Sequence, residues 1–155
     1  MGKVAVYVGI DVAQGHLDVQ VSGEPAPWRV PYNPVGLRTL CERLAPWSPT
    51  LIVLEATGGL ETAVWTTLAE AGLPVALANP RQVRDFARAL GYRAKTDALD
   101  ARVLARFAEK IQPAVRPLPA PQTRALRRPA PPSRAPARSG ARPPTLRPAR
   151  HAAPH

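Results

Sequence analysis

Four acidic side chains occupy positions from which they could carry out metal-dependent phosphodiester chemistry. Asp11 ends the apolar run Val4-Ala5-Val6-Tyr7-Val8-Gly9-Ile10, and Glu55 ends a second, Leu51-Ile52-Val53-Leu54. Asp97 and Asp100 sit three apart in Lys95-Thr96-Asp97-Ala98-Leu99-Asp100-Ala101. Two carboxylates about 4 Å apart repel by roughly 4 kcal/mol at an effective dielectric near 20, a large fraction of the stability of an ordinary domain. If the four converge, a positive partner must sit among them. Hard divalent cations prefer oxygen ligands, so Mg²⁺ or Mn²⁺ is the expected counter-ion. A pair of such ions clamps the attacking and the leaving oxygen of a phosphoryl displacement.

Convergence depends on the elements that carry the acids. The two apolar runs are predicted to form strands buried on both faces, and in open α/β sheets ligands collect at the carboxyl ends of such strands. Asp97, Asp100, Val103, Leu104 and Phe107 recur at intervals of three and four. That spacing predicts a helix with both carboxylates on its core-facing stripe. Each acid also has a plainer reading. Asp97 could N-cap this helix with Asp100 near its positive end, Asp11 could be a turn residue, and Glu55 could answer a basic side chain. Asp18, Glu61 and Asp85 are reserve candidates, with Asp18 expected to face solvent by alternation.

Further elements follow from the patterning. Leu17, Val19 and Val21 alternate with polar residues and predict a half-exposed strand, and Trp28, Val30 and Tyr32 predict a third whose Pro31 suits an edge. Asn33-Pro34 opens a helix that Pro46 stops, Thr50 to Ala56 is a fourth strand, and Leu60 to Ala71 is a helix closed by Gly72. Pro74 to Ala78 is a fifth strand, Asn79-Pro80 opens a helix to about Leu90, and the last helix is expected from about Asp97 to Glu109. The order βββαβαβαα predicts an α/β fold, an antiparallel meander beside a parallel pair reached through helical crossovers. That is the order of ribonuclease-H-like folds, which place strands one and four side by side and so would set Asp11 next to Glu55.

Composition divides the chain. Residues 1–109 hold all 11 acidic residues and 11 of the 21 basic ones, so the net charge of +10 belongs to the rest. Twelve of the 20 prolines follow Glu109, and the last aromatic residue is Phe107. We therefore expect a catalytic domain over 1–109, a linker or the start of a helical connector over 110–128, and a disordered basic tail over 129–155, which is too poor in apolar surface to offset the entropy of ordering. Cys41 is the sole cysteine, which excludes an internal disulfide and a CxxC zinc site, and it is expected to pack as a small apolar residue. No apolar run approaches the length of a membrane span and no signal-peptide pattern opens the chain, so a soluble cytoplasmic protein is expected, with no membrane partner.

Arg81, Arg84, Arg88, Arg93 and Lys95 cluster between the fifth strand and the acidic helix, near where nucleic acid would approach a metal. Contacts to phosphate need only cations aimed at the backbone, whereas a solvated helix face is the alternative. Gly58-Gly59 leads into a helix N-terminus that could meet a phosphate, although a plain strand-to-helix turn explains it more simply. His16 has no partner of matching spacing and is expected to be structural or exposed.

Four segments, Val8-Gly9-Ile10-Asp11-Val12-Ala13, Leu54-Glu55-Ala56-Thr57-Gly58-Gly59, Ala78-Asn79-Pro80-Arg81-Gln82-Val83 and Lys95 to Ala101, resemble the signature segments of the DEDD transposases of bacterial insertion sequences. The catalytic domain of that family is RuvC-like. The resemblance covers roughly residues 4–127 and implies that Asp11, Glu55, Asp97 and Asp100 are metal-binding catalytic acids. It further implies cleavage and strand transfer of DNA, a structured guide RNA, a homo-oligomer when full length, and a cytoplasmic, nucleoid-associated location. Family members carry a second domain with a serine nucleophile. Here the pattern departs near Arg128, and 20 of the 27 residues from Pro129 to His155 are Pro, Ala or Arg, as GC-rich codons read in a shifted frame would give. A truncated or frameshifted chain with incomplete activity is expected from this, and a purposeful basic tail is the alternative. Two other functions compete. One is an inactive nucleic-acid-binding remnant. The other is an actin-like or sugar-kinase ATPase, which also opens on a strand ending in Gly-Ile-Asp but needs a longer, two-lobed chain.

Overall fold

Alternation along the strands decides what each face of the sheet meets. The computed structural model of the protein describes residues 4–93 and 100–118. Strands β1 (Tyr7–Val12), β2 (His16–Val21), β3 (Trp28–Pro31), β4 (Leu51–Glu55) and β5 (Val75–Ala78) form one sheet in the order β3-β2-β1-β4-β5. β1, β2 and β3 are antiparallel neighbours, whereas β1, β4 and β5 run parallel. This is the expected ribonuclease-H-like mixed sheet of five strands, and Pro31 lies on an edge strand, where a missing N–H breaks no ladder.

One face carries Val8, Ile10, Val12, Leu17, Val19, Val21, Ile52, Leu54 and Val75, packed with Leu40 and Leu44 of helix α1 (Pro34–Leu44) and with Val64, Trp65 and Leu68 of helix α2 (Leu60–Glu70). The opposite face presents Leu51, Val53, Ala76 and Ala78 to helix α3 (Pro80–Ala89) and helix α4 (Ala101–Ile111) through Val83, Ala87, Val103, Leu104 and Phe107. Phe86 meets Phe107 edge to face with centroids 5.5 Å apart, which ties α3 to α4.

Local chemistry sets the helix ends. Asn33 and Asn79 cap α1 and α3 through bonds from the Gly36 and Arg81 amides, each with proline at the first helical position. α1 gives way at Leu44 to a 3₁₀ turn, Ala45–Trp47, around Pro46. The last helix departs from expectation. It starts at Ala101 rather than near Asp97, because Asp100 is extended, at φ −129° and ψ −178°, and its side chain caps the helix. Asp100 therefore does not lie on the core-facing stripe of a helix.

Beyond α4 the chain runs irregularly back along the β5 edge. The Arg116 amide donates to the Val75 carbonyl at 2.8 Å, Trp65 Nε1 donates to the Arg116 carbonyl at 3.1 Å, and Leu118 packs against the core. An edge strand that would otherwise present unpaired amides is covered in this way. Asp97, Lys95 and the tail from residue 119 onward, including its expected disorder, lie outside the described residues. Among the described residues no helix is long and apolar enough to cross a membrane.

Candidate active site

The parallel register of β1 and β4 runs as far as Ile10 opposite Leu54, so Asp11 and Glu55 leave the two strands side by side. Both are on the face that meets α4, since Gly9 and Val53, two residues earlier on each strand, lie under that helix or in its cluster. Helix α4 then delivers Asp100 to the same end of the sheet. Its Oδ1 accepts from the Arg102 and Val103 amides at 2.9 and 3.3 Å, which aims the N-terminus of α4 and its partial positive charge at the acids.

Glycine at position 9 makes this approach possible. A methyl group there would run into the Ala101 carbonyl and the Ala105 amide, so the helix backbone rests directly on the strand. Where most helix–sheet contacts are spaced by side chains, this one brings Asp100 within electrostatic reach of Asp11.

Burial pushes the Asp11 carboxyl above its ordinary range, and the negative charges of Asp18 and Asp100 push it further, with His16 acting weakly the other way. Burial likewise raises Glu55; the Asp11 charge adds to this and Arg84 opposes it. Asp11 and Glu55 thus both carry unfavourable charge from a neighbouring acid that the protein only partly offsets.

Asp18, expected to face solvent, is only partly exposed. It stands directly opposite Asp11 in the β1–β2 register, on the same face, with its side chain 26% exposed. The polar side of β2 is only partly open to water because α4 overhangs it: Gln20, the next residue on that side, is buried. Arg29 of β3 holds Asp18 with bonds of 2.7 and 3.3 Å, and His16 Nε2 lies 3.7 Å away. The signal was present in the hairpin. Counting outward from the tight Ala13–His16 turn pairs Val12 with Leu17 and Asp11 with Asp18.

The other reserve acids have structural roles. Glu61 Oε2 accepts from the Thr57 amide, the Thr57 hydroxyl and the Gly59 amide at 3.0, 3.3 and 3.0 Å, so the Gly58-Gly59 turn spends its amides on a carboxylate of its own chain. Asp85 pairs with Arg88 at 3.6 Å on the exposed side of α3. Cys41 lies half-buried between α1 and α2, where burial raises its thiol pKa, as suits packing rather than reactivity.

Arg81, Arg84 and Arg88 follow one another at intervals of three and four on the exposed side of α3, and the positive charge of Arg84 bears on Glu55. Arg93 is exposed beyond the end of α3. A hard divalent ion fits a donor set made wholly of carboxylates. Among the described residues, no group of three acidic, histidine or cysteine side chains is closed enough to hold such an ion as it stands.

Comparison with known proteins finds a family and similar solved structures. The model of the DEDD transposase family of the IS110 type matches residues 8–130. Among solved structures, the chain is similar to T. thermophilus RuvC in complex with Holliday junction substrate, with 20% identity and a TM-score of 0.49 over 74% of this chain and 99% of that one. No curated protein matches the chain.

Proposed function

This chain belongs to the DEDD transposase family of the IS110 type, and from that premise we propose that its acidic face holds Mg²⁺ or Mn²⁺ and cleaves DNA phosphodiester bonds during transposition. The observation that supports this most is the delivery of three acids from three separate elements to one end of the sheet: Asp11 from β1, Glu55 from β4 and Asp100 from the cap of α4. The carboxyls of Asp11 and Glu55 are both raised by burial and by a neighbouring acid, the kind of perturbation that clusters at functional sites. In this reading Asp11, Glu55, Asp97 and Asp100 hold the metal. A divalent ion bound there supplies charge neutralisation at the phosphate and activation of a nucleophilic oxygen.

The remaining steps fall to the protein's own groups. Arg81, Arg84 and Arg88, with Arg93 and Lys95, bind the phosphate backbone and align it across the acids. The α4 N-terminus directs its positive end at the same place, where it favours an anionic substrate. A guide RNA, a homo-oligomeric assembly, and a cytoplasmic location at the nucleoid are further parts of the proposal and rest on the family resemblance alone.

The test is nicking of DNA carrying insertion-sequence ends by the purified chain, with Mn²⁺ or with EDTA. Metal-dependent nicking should disappear in Asp11→Asn and Glu55→Gln while far-UV circular dichroism is unchanged. DNA binding without nicking in the parent chain would favour the inactive-remnant reading. Undiminished nicking in Asp11→Asn would remove the acids from the mechanism.

A further inference from the structure

Beside the acids, on the same face of the sheet, a hollow of about 250 Å³ opens between α4 and the turn that joins β2 to β3. Its walls include Gln20 and Glu24 from the strand and turn, and Arg102, Arg106 and Glu109 from α4. Gln20 is only 7% exposed. Its Nε2 donates to the Val21 and Glu24 carbonyls at 2.9 and 3.0 Å, an arrangement that fixes which end of the amide is nitrogen, since an oxygen there would face two acceptors. Its Oε1 is left as the one buried side-chain polar atom among the described residues with no hydrogen-bond partner. Unpaired buried acceptors are rare and call for an explanation.

The rest of the wall narrows the chemistry. Arg102 and Arg106 are four residues apart on the exposed side of α4, over the hollow, and no ion pair involves either among the described residues. Two unpaired guanidinium groups suit a phosphate. The carboxylates of Glu24 and Glu109 are acceptors on the same wall, and they suit a ligand that also brings hydroxyl or amino donors. A nucleotide unit has both. Its position is equally informative: Gln20 pairs with Gly9, one pleat from Asp11 and Asp18, so the hollow begins about 7 Å along the strand from the acids. Arg102 is two residues from Asp100. A strand of nucleic acid crossing the acidic face would enter the hollow with the neighbouring nucleotide.

We propose that this hollow is a nucleotide subsite adjoining the cleavage position, in which Arg102 and Arg106 bind a phosphate and the carboxylates of Glu24 and Glu109 accept from a base amino group or a sugar hydroxyl, with Gln20 at its floor. The placement next to a cleaved bond rests on the function proposed above; binding of a nucleotide in the hollow does not.

Replacing Gln20 would also loosen the turn its amide holds, so the test is site-resolved and uses the full chain. ¹⁵N-labelled protein is titrated, without divalent metal, with a deoxyadenosine trinucleotide and separately with its ribonucleotide counterpart. The Gln20 side-chain amide and the Nε–H groups of Arg102 and Arg106 should shift and saturate together. Equal responses to the two probes would identify the base as donor, and a response to the ribonucleotide alone would identify the 2′-hydroxyl. The double variant Arg102→Gln, Arg106→Gln should lose these shifts and lower the slope of log affinity against log salt by about 1. Shifts confined to α3 or the tail would overturn the subsite. Titrating Mg²⁺ into the same sample reads Asp11, Glu55 and Asp100 separately: a silent metal titration with a responding hollow counts against the metal centre alone, and the converse counts against the subsite alone.

Discussion

Gly9 lies directly beneath the backbone of Ala101. A side chain there would overlap the Ala101 carbonyl and the Ala105 amide and sit 2.7 Å from the Leu104 carbonyl carbon. The glycine is required by space and not by backbone conformation, since its φ is not positive. Through this contact a small residue in β1 sets the position of Asp100, the residue before Ala101, relative to Asp11, two residues along the strand.

Gly9→Ala should therefore destabilise the domain by about 1–3 kcal/mol, the usual range for overpacking a filled site. A lower urea midpoint at unchanged slope would show it, and any metal response should weaken in parallel because α4 is displaced. An unchanged midpoint would mean that α4 does not rest on β1.

Divalent metal should raise the melting temperature, because an ion held by the folded acids has no equivalent site in the unfolded chain. At a free concentration 100 times the dissociation constant the gain is about 2.7 kcal/mol. Asp11→Asn should behave oppositely on two counts. Without metal it should be at least as stable as the parent chain, since a carboxylate that burial, Asp18 and Asp100 all disfavour is gone, and with metal it should show no increment. Equal increments in both proteins would sink the metal site.

Arg29 is exposed, so its pair with Asp18 should add little to stability. Its consequence lies in the site. In Arg29→Ala the Asp18 charge opposite Asp11 is no longer neutralised, and calorimetry should find Mn²⁺ bound more tightly at low salt, with the difference shrinking as salt is added. Weaker binding would show instead that Arg29 orders the site.

The Glu61 carboxyl is pushed up by burial, but hydrogen bonds from its own amide, from the Thr57 and Gly59 amides and from the Thr57 hydroxyl outweigh this and hold it below its ordinary value of 4.5. A carboxyl depressed on folding stabilises the protein at pH values above its unfolded pKa, and that contribution is lost as pH falls through the folded value. Glu61→Gln should cost about 1 kcal/mol at pH 7, within the range for helix caps. The difference between the two proteins should begin to shrink near 4.5 and close as pH falls through the lower folded value. A gap that persists in acid would assign the loss to packing.

Replacing Arg81, Arg84 and Arg88 with Gln should flatten the salt dependence of duplex DNA binding, by about 0.9 in slope for each phosphate that is no longer neutralised. Fluorescence anisotropy between low and moderate salt would measure it. An unchanged slope would place the binding beyond residue 109, where 10 of the 21 basic residues lie.

Much of the fold was legible because strands and helices write their periods into the chain. The unbroken apolar runs before Asp11 and Glu55 read as strands covered on both faces, and the element order resembled that of ribonuclease-H-like folds, whose pairing of strands one and four sets these two acids side by side as the structure does. The caps at Asn33 and Asn79 were visible for the same reason, since each joins a side chain to its own next turn.

Other relationships depend on residues far apart in sequence and on how closely the layers approach. Alternation alone placed Asp18 in water; the β1–β2 register sets it beside Asp11, and the overhang of α4 encloses part of that side of β2, burying Gln20. Helical spacing put Asp100 on a core stripe, whereas the structure made it the cap, because a side chain at a helix start gains more by satisfying the free Arg102 and Val103 amides than by entering an apolar layer. Period and residue type thus determined which elements carry the acids, and the backbone approach at Gly9, with no periodic signature of its own, decided how closely those acids meet.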